Sequence, residues 1–281
     1  MIWNSKKIIE LVKIKNLFSL FNPSYEYGYD FAGEMHNFWE CMYVIRGSVC
    51  VSADNRIHKL KKGEIIFHKP LELHKFYVDS DEGAELFIFS FDMDGSIEDK
   101  LLNKVVMLDD YQHQIMSFFI RYVKDRNLQY KNENITNFNG ISHFSFKNNT
   151  FLQTVATYIT NLILSISESE NVASTVMDYD AVLFKNAVDL MNGFISDSLS
   201  VDEIAKALNV SQSTLKRIFT KYAGISVHKY YVTLKIKTAT ALLESGVSVS
   251  DTADKLGYVN QAYFSAVYKR ETGNNPSKLK K

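Results

Sequence analysis

The chain has 281 residues, of which 46% are hydrophobic and 23% charged, with only 12 Gly and 3 Pro. This balance is typical of folded globular proteins and excludes collagen-like and disordered chains. Its length predicts two domains, each able to bury its own core. The 32 basic and 32 acidic residues cancel, yet residues 178–281 carry 14 basic against 10 acidic side chains. A polyanion would therefore be attracted to the C-terminal part.

The start of the chain and its cysteines predict a cytoplasmic protein. Lys13 and Lys15 interrupt the apolar N-terminal stretch and no small-residue cleavage site follows, which argues against a signal peptide. No window approaches the ~20 apolar residues of a membrane span, so no membrane partner is expected. Cys41 and Cys50 are too few for a disulfide framework, and we expect buried thiols in a reducing compartment.

Residues 1–95 have the pattern of an antiparallel β domain. Short β-branched and aromatic runs alternate with turn signals at Gly47 and Gly63, which predicts a sandwich or small barrel over about residues 20–95. From about residue 97 to 168, apolar residues recur every three and four positions, as in amphipathic helices. We place these helices at roughly 107–125 and 151–167, separated by an Asn-rich loop at 127–149.

Residues 165–180 are rich in Ser, Glu and Asp and are predicted to link the two domains. The predicted N-terminal domain therefore covers residues 1–164. The predicted C-terminal domain covers residues 181–281 and is helical throughout.

The C-terminal domain contains an internal repeat. Ala205 and Leu208 match Ala253 and Leu256 at an offset of 48 residues; after one inserted residue, Leu215, Phe219 and Gly224 match Phe264, Tyr268 and Gly273 at an offset of 49. Each copy predicts a short helix, a tight turn at Asn209 or Gly257, and a second helix. This order is that of a helix-turn-helix unit.

The second helix of each copy has a polar face that suits nucleic-acid recognition. Amide, hydroxyl and cationic side chains can donate to base edges and phosphates. The predicted DNA-binding residues are Gln212, Ser213, Lys216, Arg217 and Thr220 in the first copy, and Asn260, Gln261, Ser265, Lys269 and Arg270 in the second. A single copy would fit an inert helical bundle equally well. The duplication with matched turns favours double-stranded DNA as the partner.

The stretch 199–281 resembles the DNA-binding domain of the AraC/XylS family of bacterial transcription regulators. The matching positions are Ser211, Leu215, Arg217 and Phe219, followed by Gly224–Ser226, Ala239–Leu243, Ala253–Tyr258, Gln261–Ser265 and Gly273–Ser277. The resemblance implies seven helices, with two recognition helices in successive major grooves about 34 Å apart. From the resemblance we expect a homodimer, with RNA polymerase as a further partner. Activation is the expected direction of regulation, while the sequence itself leaves activator or repressor, and the oligomeric state, open.

Two positions depart from the family pattern. Ala266 stands where the second recognition helix usually has Arg, which predicts weaker base reading by the second copy. Lys235 stands where the connecting helix usually has Arg.

The N-terminal domain resembles the cupin-like sensor domains of many family members. The positions that carry this resemblance are His36, Glu40, Gly47, Gly63, Pro70 and His74. It implies an α+β chain with an antiparallel jelly-roll barrel, a small effector such as a sugar in that barrel, and following helices that dimerise. The residues expected to bind the effector are Glu34, His36, Trp39, Glu40 and His74. An apolar face at Ile115, Phe118, Phe119 and Tyr122 predicts a buried seam within one chain or between two.

Three functions are compatible with the sequence. The first is a regulator controlled by a small effector, and the second is a regulator without a ligand. The third is a metal-dependent cupin enzyme with a DNA-binding tail, but Glu34 replaces the first metal-binding His of such enzymes and the second motif is poorly kept. We therefore expect no metal, no other cofactor and no enzymatic activity. The remaining histidines, among them His58, His68 and His113, are expected to be structural.

Overall fold

The computed structural model describes residues 5–129, 148–169 and 179–279. The chain divides into two compact units, with the division near residue 176. Most of the predicted loop at 127–149 and of the predicted linker at 165–180 lies outside the described residues. On either side of the residues left undescribed, one helix ends at Ser167 and the next begins at Tyr179. None of the described helices combines the length and apolar composition that crossing a bilayer requires.

The N-terminal unit is an antiparallel β structure followed by two helices, as predicted. Its strands are β1 (Val12–Phe21), β2 (Ser24–Tyr25), β3 (Trp39–Ala53), β4 (Arg56–Lys61), β5 (Glu64–His68), β6 (His74–Val78), β7 (Ala84–Gly95) and β8 (Val105–Met107). The helices are α1 (Asp110–Gln129) and α2 (Asn149–Ser167). The main strand order is β1-β7-β3-β5-β8, with β2 paired to β7 and both β4 and β6 paired to β3.

Strand β3 is the centre of this unit. Its first half pairs with β5 and β7, whereas its second half, from Val49 onward, pairs with β6. The change occurs at Gly47, whose φ is +77°. A Cβ there would lie 1.9 Å from the carbonyl oxygen of Gly83, so only glycine fits.

Two apolar cores lie on opposite faces of β3 because successive side chains of a strand alternate. The helix-side core joins Cys41 and Phe89 to α1 and α2 through residues such as Phe119 and Ile159. The strand core contains Met42, Val44, Phe76 and further residues of the strands. The predicted burial of Cys41 and Cys50 is confirmed.

Two details of the prediction for this unit are wrong. The first strand begins at Val12, before residue 20, and pairs with β7. No helix spans 97–109: a short 3-10 helix at Glu98–Lys100 is followed by β8, whose β-branched Val105 and Val106 pair with β5. On α1, Ile115 and Phe119 of the predicted seam are buried within the chain, whereas Phe118 is half exposed and Tyr122 half-buried.

The C-terminal unit is helical, as predicted. It contains α3 (Tyr179–Gly193), α4 (Val201–Ala207), α5 (Gln212–Ala223), α6 (Val227–Glu244), α7 (Val249–Lys255), α8 (Gln261–Thr272) and a final 3-10 helix (Pro276–Leu279). The two predicted helix-turn-helix copies are α4–α5 and α7–α8. The paired residues Ala205 and Ala253 are both buried, as are Phe219 and Tyr268.

Lys235, on the connecting helix α6, ties the two copies together. It is only 7% exposed, and its Nζ donates to the carbonyl oxygens of Asp197 at 2.6 Å and Leu256 at 2.8 Å. Asp197 precedes the first copy, and Leu256 is the C-cap of α7 in the second. Tyr231 and Tyr258 place their rings 5.2 and 5.5 Å from the ammonium. Burial lowers the pKa of Lys235 below its usual value.

Replacing this ammonium should destabilise the C-terminal unit. Lys235→Met removes two charge-assisted hydrogen bonds and leaves two carbonyls without this donor, a loss of about 1.5–3 kcal/mol in the free energy of unfolding. Urea unfolding of the full chain, followed by helical circular dichroism, measures it. Lys255→Met on exposed α7 is the control and should change the midpoint little. Equal midpoints for the two variants would contradict this role.

Candidate nucleic-acid interface and effector site

The turns of both copies have the predicted left-handed residues. Asn209 and Gly257 have φ values of +55° and +67°. At Gly257 a Cβ would lie 1.8 Å from the carbonyl oxygen of Ser196, which requires glycine. The next helices begin at the predicted caps. Ser211 Oγ accepts a hydrogen bond from the backbone N–H of Thr214 at 3.1 Å, and Asn260 Oδ1 accepts one from the backbone N–H of Tyr263 at 2.8 Å.

Helix α5 presents its predicted polar face. Leu215, Ile218 and Phe219 are fully buried, which fixes the rotation of the helix. The side chains predicted to bind DNA in this copy are all exposed: Gln212, Ser213, Lys216, Arg217 and Thr220. One side of α5 therefore offers amide, hydroxyl and cationic donors together.

Helix α8 differs from α5. Asn260, Gln261, Lys269 and Arg270 are exposed as predicted, whereas Ser265 is half-buried beside the core residue Phe264. The Ala266 position is exposed, so a longer side chain would fit there. Two exposed apolar residues at the start of the helix, Val259 and Tyr263, were missed by the sequence analysis. Donors are thus sparser on this face.

Carboxylates contact three polar side chains of α5. Arg217 makes a bidentate ion pair with Asp180 of α3, with N–O distances of 2.8 and 2.9 Å. Lys221 lies 3.5 Å from the same carboxylate. The Arg217 guanidinium holds the pKa of Asp180 below its usual value. Gln212 donates to Asp202 of α4 at 3.0 Å. The polar face of α5 therefore carries its own acidic partners.

In the N-terminal unit, four of the five predicted effector-binding residues come together. We call Glu34, His36, Glu40 and His74 the His/Glu cluster; one ligand atom of each lies within 4.8 Å of the others. Glu40 is the second residue of β3 and His74 the first residue of β6, and Glu34 exchanges two backbone hydrogen bonds with His74. The backbone N–H of Leu71 donates to His36, which fixes the same edge.

The imidazoles and carboxylates of the His/Glu cluster lie close enough to shift each other's pKa values. His74 Nε2 lies 3.3 Å from Glu40 Oε1 and 3.6 Å from Glu34 Oε1, and His36 Nε2 lies 3.8 Å from Glu40 Oε2. Burial disfavours the charged forms, but the two histidines lower the pKa of Glu40 well below its usual range. For His74, burial lowers the pKa while Glu34 and Glu40 raise it, and the net result is a pKa of about 10.

Trp39, the fifth residue predicted to bind the effector, lies apart from the His/Glu cluster. Adjacent strand residues point to opposite faces, and Trp39 packs in the helix-side core while Glu40 faces the cluster. His68 and Glu72 adjoin the cluster, although the sequence pattern did not predict them as site residues. His68 Nδ1 lies 2.9 Å from Glu72 Oε2, and the His68 ring stacks on His74 at 4.3 Å. Burial, and the charge of His74, lower the pKa of His68.

Two family matches cover the two units. Residues 24–102 match the family described as AraC-like ligand binding domain, and residues 204–281 match a helix-turn-helix domain. The chain belongs to the AraC family of transcription regulators. This result confirms the family resemblance, with a ligand-binding domain preceding the DNA-binding one.

Individual relatives match between about a third of the chain and nearly all of it. The Msm operon regulatory protein of Streptococcus mutans is 35% identical over 85 residues, 30% of this chain and 31% of that protein. The HTH-type transcriptional regulator YfiF of Bacillus subtilis is 22% identical over 250 residues, 86% of this chain and 76% of that protein. ToxT from Vibrio cholerae has a TM-score of 0.37 at 14% identity, covering 95% of this chain and 96% of ToxT. The chain thus spans less than a third of the length of the first of these relatives.

Removing the carboxylate that holds Arg217 should strengthen DNA binding. In Asp180→Asn the Arg217 guanidinium loses its ion pair with residue 180. DNA phosphates or bases then no longer compete with a carboxylate for this guanidinium. An exposed ion pair is worth at most ~1 kcal/mol, so we expect up to about fivefold tighter binding. Fluorescence anisotropy with a labelled duplex measures it, and Asp125→Asn on α1 controls for net charge. Weaker binding by Asp180→Asn would show instead that Asp180 orients Arg217 for DNA.

Proposed function

We propose that this protein is a sequence-specific transcription regulator that binds double-stranded DNA through α5 and α8 and responds to a small effector in its N-terminal unit. The observation that carries the DNA-binding part is the pair of helix-turn-helix copies joined through Lys235. A duplicated motif held at a fixed spacing suits two successive major grooves of one DNA face. Activation of transcription, contact with RNA polymerase and a cytoplasmic location remain predictions.

The two recognition helices divide the task unequally in this proposal. Helix α5 exposes Lys216 and Arg217, whose donors suit guanine, and Gln212, whose amide suits adenine. Helix α8 exposes Asn260 and Gln261 near its start, while Lys269 and Arg270 lie at its far end. The first copy therefore reads bases, and the second holds phosphates and sets the register.

Selection of bound duplexes from a random pool tests this division. Positions under α5 should carry more sequence information than positions under α8. Arg217→Ala should weaken binding to the selected site by about 10- to 100-fold, since a good bidentate contact contributes ~1–3 kcal/mol. Ala266→Arg, at the exposed position where the family usually has Arg, should raise the information under α8.

The matched control is Arg270→Ala, at the distal end of α8. It should weaken binding of all duplexes to a similar extent, because a phosphate contact carries no sequence information. Equal information under both helices of the wild-type chain would contradict the division. Recovery of no motif at all would contradict the proposed function.

The effector is proposed to be a small polar molecule, with a sugar as the leading class. Hydroxyl groups of a sugar suit the carboxylates and imidazoles of the His/Glu cluster. The Glu34 side chain is 45% exposed, so the cluster is open to solvent on that side, while Glu40 and His74 lie beneath it. A ligand could therefore approach past Glu34 and hydrogen-bond to the buried polar groups of Glu40 and His74.

Calorimetric titration of the full chain with sugars tests the effector and its place. Glu40→Gln should abolish heat from the binding sugar, since it removes the central carboxylate of the cluster. Trp39→Phe is the matched control, because the Trp39 side chain packs on the face of β3 opposite Glu40. An equal loss in both variants would place the site elsewhere. Absence of binding by any sugar would favour the regulator without a ligand.

A homodimer is proposed to form through α1. Tyr111 and Phe118 are seven residues apart on this helix, and their side chains are 58% and 50% exposed. Exposed aromatic side chains at this spacing lie on one face and are typical of a contact surface. Sedimentation equilibrium at micromolar concentration tests this, and a monomer there would count against it.

A further inference from the structure

The His/Glu cluster has the composition and orientation of a metal-binding site. We propose that Glu34, His36, Glu40 and His74 bind one divalent first-row transition metal ion. The metal deepens the proposed effector site: it would be an input to the regulator, either alone or together with a ligand that completes its coordination. The binding of the ion itself does not depend on that regulatory role.

The orientation of the two imidazoles is the first argument. His36 Nδ1 lies 3.0 Å from the carbonyl oxygen of Phe38, and His74 Nδ1 lies 3.0 Å from that of Glu72. A carbonyl oxygen only accepts, so each Nδ1 carries a proton and each Nε2 is directed into the cluster. Metal-binding histidines are usually fixed in this way, with one nitrogen donating to the protein and the other facing the ion.

The Nε2 atoms themselves are the second argument. Both are buried and neither makes a hydrogen bond, although carboxylate oxygens lie 3.3–3.8 Å away. The His74 side chain is only 2% exposed, and a buried polar atom without a hydrogen-bond partner is unfavourable. A cation between them gives every donor atom a partner at once.

The distances between donor atoms fit a cation at their centre. Ligand bonds of 2.0–2.1 Å in a tetrahedral site place neighbouring donor atoms about 3.4 Å apart. His74 Nε2 is 3.3 Å from Glu40 Oε1 and 3.6 Å from Glu34 Oε1. His36 Nε2 is 3.8 Å from the other oxygen of Glu40. The four ligand atoms lie within 4.8 Å of one another, so the widest pairs must approach by up to about 1.4 Å to bind a tetrahedral ion.

The surroundings of the cluster support its ligands. Ser90 Oγ donates to Glu40 Oε2 at 3.2 Å, which orients the central carboxylate. The buried Glu72 accepts from His74 through its backbone and binds His68 through its side chain. The stacked His68 ring then limits rotation of His74. Such supporting contacts fix the orientation of metal ligands and raise affinity.

The donor set indicates the class of ion. Two imidazoles with two carboxylates suit Zn²⁺, Mn²⁺, Fe²⁺, Co²⁺ or Ni²⁺, whereas Ca²⁺ and Mg²⁺ prefer oxygen ligands only. The exposed side of Glu34 leaves a direction from which water or a ligand hydroxyl can reach the ion. The cluster therefore predicts one transition ion per chain, with a coordination position open to solvent.

The test uses the full chain, purified without a metal-affinity tag and treated with EDTA. Calorimetric titration with Zn²⁺ and with Mn²⁺ should give one site per chain, and Mg²⁺ should give none. Co²⁺ should produce a visible absorption band from its protein-bound state. His74→Gln and Glu40→Gln should weaken Zn²⁺ binding by more than about 100-fold and remove the Co²⁺ band. Glu34→Gln, at a partly exposed position, should weaken it by about 10-fold without affecting folding.

The control for loss of a histidine is His113→Gln on α1, which lies outside the cluster and should bind Zn²⁺ like the wild type. Circular dichroism checks that each variant is folded. If the variants at the buried residues Glu40 and His74 do not fold, the partly exposed Glu34→Gln still tests the metal site. The proposal is overturned if no transition ion binds stoichiometrically, or if binding is unchanged in Glu34→Gln and His74→Gln. Because these titrations contain neither DNA nor sugar, their failure leaves DNA recognition standing, and failure of DNA recognition leaves the metal site standing.

Discussion

The buried ammonium of Lys235 is the contact on which the DNA-binding unit depends. It joins the carbonyl of Asp197, before the first helix-turn-helix copy, to that of Leu256, at the C-terminal end of α7. A cation at a helix C-terminus also interacts favourably with the helix dipole. One side chain of α6 thus sets the relation between the two copies. The family usually has Arg at this position, and Lys meets the same need with a single nitrogen.

In the N-terminal unit the corresponding constraint is the path of β3. Gly47 lets this strand leave one set of neighbours and join another, and Glu40 lies on the part that faces the strand core. A buried carboxylate is costly unless it is paired, and His36 and His74 provide that pairing. The same three groups are the ones that a cation or a polar effector would engage. The stability of this site and its capacity to bind are therefore linked.

Features that depend on local conformation could be predicted from the sequence. Asn209 and Gly257 suit left-handed turns, and Ser211 and Asn260 suit helix caps, whatever lies far away in the chain. Features that depend on distant pairing could not: β8 forms because Val105 and Val106 find β5, and Arg217 meets Asp180 across 37 residues. Period-two alternation of β3 also places Trp39 on the face opposite Glu40, where it packs in the helix-side core.

We propose that one chain places its two recognition helices in successive major grooves on one face of DNA. Hydroxyl-radical footprinting of the full chain on its selected duplex tests this most directly. Two protected segments on the same face, about 10–10.5 base pairs apart, are predicted for each chain. A single protected segment, or two on opposite faces, would contradict the account.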